Sequence, residues 1–214
     1  MARRRAMRSP VAYRRSGPSR DPYDVILIVC EGAKTEPNYF EGLRARYRLS
    51  SVNVRIVHPP ATDPLSLVNR AIEELDRDHD LDRVYCVFDR DGHVNFDEAV
   101  RIATQCTYGR NGKLAIITSI PCFEIWILLH HRYSTAPFTS VGEQSACERL
   151  IRELRTHYAG YAKGRDNVFA ELESRLPQAL DHAIRLEAHN HAVNSWNPST
   201  MVHRLVRYLM ELKK

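Results

Sequence analysis

Val25-Ile26-Leu27-Ile28-Val29-Cys30, running straight into Glu31-Gly32-Ala33-Lys34-Thr35-Glu36-Pro37, is the stretch on which the fold turns. Six consecutive apolar, mostly β-branched residues read as a strand buried on both faces, which is characteristic of parallel sheets. A helix follows: Thr35 can cap it, Glu36 suits its positive end, Pro37 fits its first turn, and Tyr39, Phe40, Leu43 and Tyr47 share one face. The same alternation then repeats. Residues 52–57, 84–88 and 114–118 read as strands, and 62–78, 96–106 and 121–133 as helices. Strands regularly separated by helices specify an α/β fold with an open parallel sheet and right-handed crossovers.

Beyond about residue 134 the strand pattern stops, and 144–158, 166–188 and 198–212 read as helices, the second broken at Pro177. The expected organisation is an arm over 1–20, an α/β core over 21–134, and a helical cover over 135–214. The whole chain carries 31 basic and 26 acidic residues. Seven arginines and no acid fall in the first 20, so the remainder holds 24 basic against 26 acidic. The pI of about 9.0 therefore describes a basic arm on a near-neutral body rather than a basic fold. That arm lacks the apolar core of a secretory signal, and Pro10, Gly17 and Pro18 interrupt any amphipathic transit helix. It reads either as a contact to nucleic acid or as a solvated extension. No apolar run approaches the roughly 18 residues needed to span a bilayer. The five cysteines (30, 86, 106, 122, 147) form no CxxC pair, which fits reduced thiols in a cytoplasmic protein.

Ligands of open parallel sheets gather beyond the carboxyl ends of the strands. There the first strand delivers Glu31, and the third delivers Asp89-Arg90-Asp91-Gly92-His93. Alternate residues of an extended chain point the same way, so Asp89 and Asp91 can face one point while Arg90 faces away. Carboxylates converging on one spot repel unless a cation joins them, and hard oxygen donors suit Mg²⁺ or Mn²⁺. The bland reading keeps all three as polar loop residues.

Taken together, Glu31-Gly32-Ala33-Lys34-Thr35-Glu36-Pro37-Asn38-Tyr39-Phe40, Phe88-Asp89-Arg90-Asp91-Gly92-His93, Pro121-Cys122-Phe123-Glu124-Ile125-Trp126 and Asn197-Pro198-Ser199-Thr200, which opens the last helix, resemble the RloB-like family of phage-defence proteins. The resemblance covers about residues 24–212. That family sits among the Toprim-type catalytic domains, marked by one Glu after the first strand and a DxD after a later one. The resemblance implies that Glu31 is a general acid/base, that Asp89 and Asp91 are metal ligands with Glu31 joining them in the metal-binding and catalytic set, and that the protein is a Mg²⁺-dependent nuclease (Mn²⁺ as the alternative ion). It also implies an ABC/SMC-like ATPase partner and a role in abortive infection, and by analogy with related effectors it favours RNA, in particular tRNA, over DNA. The chain has no Gly-x-x-x-x-Gly-Lys-Ser/Thr loop, so ATP hydrolysis falls to a partner.

Lesser candidates surround this set. Lys34 reads as a phosphate contact at a helix start or as a solvated lysine. Glu36 and Glu124 sit where a helix dipole favours a carboxylate anyway, yet either could support the metal from outside its immediate ligands, as could His93. Tyr158, Tyr161, Lys163 and Arg165 form a basic aromatic loop able to grip a nucleic-acid strand, or else a set of core tyrosines. His130-His131 and His189-x-His191 lack the further ligands of a zinc site. A non-catalytic adaptor that binds the ATPase or nucleic acid, and a nucleotidyl transferase, are the competing functions. Homodimerisation is open. If the arm contacts nucleic acid, deleting residues 1–20 should weaken binding and flatten its salt dependence with folding intact, measured by titration at several salt concentrations.

Overall fold

The computed structural model describes residues 24–59, 63–90, 92, 94–109 and 113–212. The arm over 1–20, Asp91 and His93 lie outside them. The elements run β1 (Ile26–Cys30), α1 (Thr35–Arg46), β2 (Val54–Val57), α2 (Pro64–Arg77), β3 (Arg83–Asp89), α3 (Phe96–Gly109), β4 (Leu114–Ile120), α4 (Glu124–Leu129), α5 (Ala146–His157), α6 (Val168–Leu172), α7 (Leu176–Val193), β5 (Ser199–Thr200) and α8 (Val202–Glu211). The sheet order is β2-β1-β3-β4-β5, with β1 to β4 all parallel. β1 and β3 are neighbours, as the crevice rule requires.

Every residue of β1 is buried. Ile26, Ile28 and Cys30 face one core with α1, α4 and the C-terminal helices, whereas Leu27 and Val29 face a second core with α2 and α3. Local chemistry sets the helix ends. Asp63 accepts a hydrogen bond from Ser66 N at 3.1 Å and starts α2, and Ser145 and Glu148 form a reciprocal capping box at α5. Pro177 lies in the first turn of α7, so the break between α6 and α7 falls where its sequence places it.

Four expectations are corrected. Thr35 does not cap α1; Lys34 holds that position, and the Thr35 hydroxyl instead accepts Gly164 N–H at 2.9 Å. Strands do not end with β4, because Ser199–Thr200 pairs antiparallel with Ser119–Ile120. Asn197-Pro198 therefore does not open the last helix, which begins at Val202; the peptide bond between them is cis, and the Asn197 amide brackets Phe138, donating to its carbonyl at 2.6 Å and accepting from its N–H at 3.1 Å. Finally, Cys122 and Cys147 are joined by a disulfide, a pairing across 25 residues that no local motif announces; Cys30 and Cys86 remain buried thiols.

The segment after β4 organises the cover. All six residues of α4 are buried, and helix α4 packs against α5 and α7, a helix apolar enough to sit inside the protein rather than on it. Its C-cap, His130, is also buried. The His130 Nδ1 lies 2.9 Å from Trp126 O, which makes it the protonated nitrogen, and Tyr39 Oη on α1 lies 3.3 Å from Nε2. Burial holds this imidazole neutral, its pKa lowered to about 3. Tyr39→Phe removes the donor to Nε2 and leaves a buried acceptor unpaired. It should cost about 1–3 kcal/mol in a urea unfolding titration, without loss of the folded state.

Candidate functional site

The carboxyl ends of β1 and β3 bring Glu31 and Asp89 together. Glu31 N–H continues the parallel ladder by donating to Val87 O at 2.9 Å, and its Oε2 accepts Asp89 N–H at 3.0 Å. Asp89 closes β3; its Oδ2 accepts Phe123 N–H at 3.0 Å from the segment leading into α4. Its Oδ1 is buried with no hydrogen-bond partner among the described residues.

Two more carboxylates enter the same cleft from helix starts. Glu36 lies in the first turn of α1, and Glu124 in the first turn of α4, where it is only 1% exposed. Glu124 Oε1 accepts Tyr161 Oη–H at 3.0 Å, and Lys163 Nζ stands 3.8 Å from Oε2. The resulting cavity, about 350 Å³, is lined by all four acids together with Lys34 and Lys163. Gly32 leaves free the space that the Glu36 carboxylate fills: a Cβ on it would fall 2.0 Å from Glu36 Oε2.

One loop walls the cleft. Gly164, at φ +77°, donates to Thr35 Oγ1, accepts Asn38 Nδ2–H at 3.2 Å, and lies against the Lys34 stem so closely that a Cβ would meet Lys34 Cδ at 2.9 Å. Asn38 also donates to Asp166 Oδ1 at 3.1 Å. The loop is thereby pinned to the start of α1 with Lys163 over the acids. Arg165 is turned elsewhere: its guanidinium lies 2.7 Å from Glu171 and over the Tyr158 ring. Of the three cations expected to contact nucleic acid, the structure brings Lys34 and Lys163 to the cleft and leaves Arg165 in an ion pair beside it.

The electrostatics follow from crowding four acids, of which Glu36 and Glu124 are buried, beneath two exposed lysines. Burial raises the Asp89 carboxyl well above the usual range, and the neighbouring charges of Glu36 and Glu124 raise it further. Burial likewise pushes Glu36 up to about 7, opposed by a backbone hydrogen bond and reinforced by Glu124. Such a site holds protons at neutral pH unless a cation compensates its charge. The donor set suits a hard divalent ion: carboxylate oxygens, one of them a buried atom with no other partner. A different cavity, about 780 Å³, runs along the β2 edge past Arg55 and Arg70. Its charges are spent on each other, with Arg55 2.7 Å from Asp78 and Arg70 2.6 Å from Glu74.

The model of the family described as RloB-like protein matches residues 26–209. The chain belongs to the RloB-like family. The match spans β1 to α8, so sheet, carboxylate cleft and helical cover all lie within the RloB-like region. Comparison with curated proteins and with solved structures finds no match. No helix among the described residues of this RloB-like chain is long and apolar enough to cross a membrane.

Sequence reasoning placed Glu36 and Glu124 at the margin because a helix start explains a carboxylate by itself. The overlooked signal is that Glu124 is the lone charge in the apolar run Pro121 to Leu129, where burial is unavoidable and a buried charge needs a partner. In EDTA, where no cation offsets the acids, the protein should lose stability as pH rises. Native Glu36 keeps its proton to about 7 while the unfolded group releases it near 4.5, so the native state binds more protons across that interval and stability falls as pH rises. The fall should run from about pH 4.5 to 7 and level off above 7; because neutral His130 acts in the opposite sense below about 6.5, it is read as the urea midpoint of the native sequence minus that of Glu36→Gln, a difference that should fall across the same interval.

Proposed function

We propose that this RloB-like protein is a divalent-metal-dependent phosphodiesterase of Toprim type acting on nucleic acid. The single observation that carries the proposal is the convergence of Glu31, Glu36, Asp89 and Glu124 in one cleft at the carboxyl end of β1 and β3. Asp89 and Glu31, with Glu36 and Glu124 within the same cavity, would hold Mg²⁺ or Mn²⁺, and Asp91 follows as a further donor in the sequence. Bound there, the ion supplies Lewis acidity toward a phosphate oxygen and lowers the pKa of water.

The chain's own groups do the rest. Lys34 and Lys163 flank the acids and attract the phosphate that the carboxylates alone would repel. Glu31, fixed through Oε2 by the Asp89 amide, is held where it can take a proton from the attacking water and return it to the leaving oxygen. Tyr161 fixes Glu124 from the loop side, so the walls keep their shape as the charge changes. The family resemblance adds the biological setting: an effector of anti-phage abortive infection, coupled to an ABC/SMC-like ATPase, with RNA and tRNA in particular favoured over DNA.

The test is metal titration with cleavage. Mg²⁺ or Mn²⁺ should raise the melting temperature, more at pH 8 than at pH 6.5 because the acids must release protons to bind. Purified protein with Mn²⁺ should cut at least one of tRNA, mRNA or duplex DNA. Asp89→Asn should remove both the thermal shift and cutting, and Glu31→Gln should lower cutting by about 100-fold or more. Stability indifferent to metal, with no cutting in the presence of the ATPase partner, would replace the enzyme by the adaptor.

A further inference from the structure

Asp89 and Arg90 leave the end of β3 in opposite directions. Asp89 turns to the acid cleft on the α1 and α4 side, and Arg90 lines a separate cavity of about 350 Å³ on the other face of the sheet. The floor of that cavity is Ile116, Thr118 and Ile120, alternate residues of β4 that share one face. Phe96 and Trp196 add two aromatic rings to its lining. Volume and a largely apolar lining put it at the small end of sites for small planar ligands, roughly 300–1,000 Å³.

Its rim has the chemistry of nucleotide recognition. Trp196 is 41% exposed although it is the larger of the rings here, and His191 meets its edge at 4.8 Å between centroids. Arg90 lies over the Phe96 ring at 5.4 Å, and among the described residues its ion-pair carboxylate is Asp97, 3.9 Å away on an exposed side chain, so water screens the pair. Arg204, by contrast, is paired with Glu187. An exposed indole beside an apolar slot, with one under-compensated guanidinium at the mouth, suits a base stacked on the ring and a phosphate on the arginine.

We infer that this cavity binds a nucleobase together with its phosphate, and that it holds a nucleotide flanking the one at the acid cleft. Resting on the phosphodiesterase reading, this names what that site reads: a single strand crossing the carboxyl edge of the sheet puts one phosphate against Asp89 and the neighbouring base beyond Arg90. A fully stacked duplex offers no free base for the slot, so the occupant is single-stranded or has an unstacked base.

The chain provides its own reporter. It has two tryptophans; Trp126 is fully buried, so quenching by added ligand reads Trp196. The full-length protein is titrated in EDTA with AMP, GMP, CMP and UMP, with ribose 5-phosphate and inorganic phosphate as controls. Saturable quenching by at least one nucleotide is expected, with affinity at least about fivefold weaker for ribose 5-phosphate and about fivefold or more weaker in Arg90→Ala. Because Arg90 is half exposed, that variant should keep its circular dichroism and melting temperature. Equal response to nucleotide and ribose 5-phosphate, no saturation up to about 10 mM, or undiminished affinity in folded Arg90→Ala overturns the proposal. So does a Trp196 signal that changes with protein concentration alone, which would identify a second copy of the chain as the occupant. With metal absent, a protein that cuts nothing can still pass this titration, and a nuclease can still fail it.

Discussion

Gathering four carboxyl groups in one cleft, two of them buried, is the constraint around which the rest of the molecule is arranged. Glu31, Glu36, Asp89 and Glu124 come from two strand ends and two helix starts, and none could be buried alone without a proton or a counter-charge. Backbone amides do part of the work: Asp89 N–H serves Glu31, and Phe123 N–H serves Asp89. These donors are themselves fixed by β3 and by the turn into α4. The helical cover is then explained as support for that turn. Its Tyr161 and Lys163 reach Glu124, its Gly164 grips α1, and the Cys122–Cys147 disulfide ties the entry of α4 to α5.

This dependence explains why α4 is short and apolar. A longer amphipathic helix would place one face in water and let its N-terminus move with solvent. Six residues sealed between α5 and α7 cannot do so, and Glu124 is carried inward with its neighbours. Tyr39 couples α1 to the far end of the same helix through His130, so the two helices that deliver Glu36 and Glu124 are braced against each other at a distance from the acids.

Much of this was legible in the residues. Continuous apolar runs identified β1, β3 and β4, and the crevice rule placed Glu31 beside Asp89 because strand-end acids need no tertiary information to be located. What was not legible depended on contacts far apart in the chain. Asn197-Pro198 has the form of a helix start, but its amide is spent on Phe138, 59 residues away, and the next two residues pair with β4. Thr35 has the form of a cap, but Gly164 claims its hydroxyl across 129 residues. Cys122 and Cys147 look unrelated for the same reason. In each case a correct local rule was overridden by a partner no local window contains.

The tight approach of Gly32 to Glu36 also makes one position the keeper of another's geometry. Position 32 carries no side chain of its own to lose, and its backbone does not require the left-handed region. Yet the room a methyl group would need is already taken by the Glu36 carboxylate. Alanine there would be accommodated by swinging a flexible acid aside, leaving the fold nearly untouched. A side chain at residue 32 therefore acts through residue 36, displacing its carboxylate from the cleft rather than the backbone.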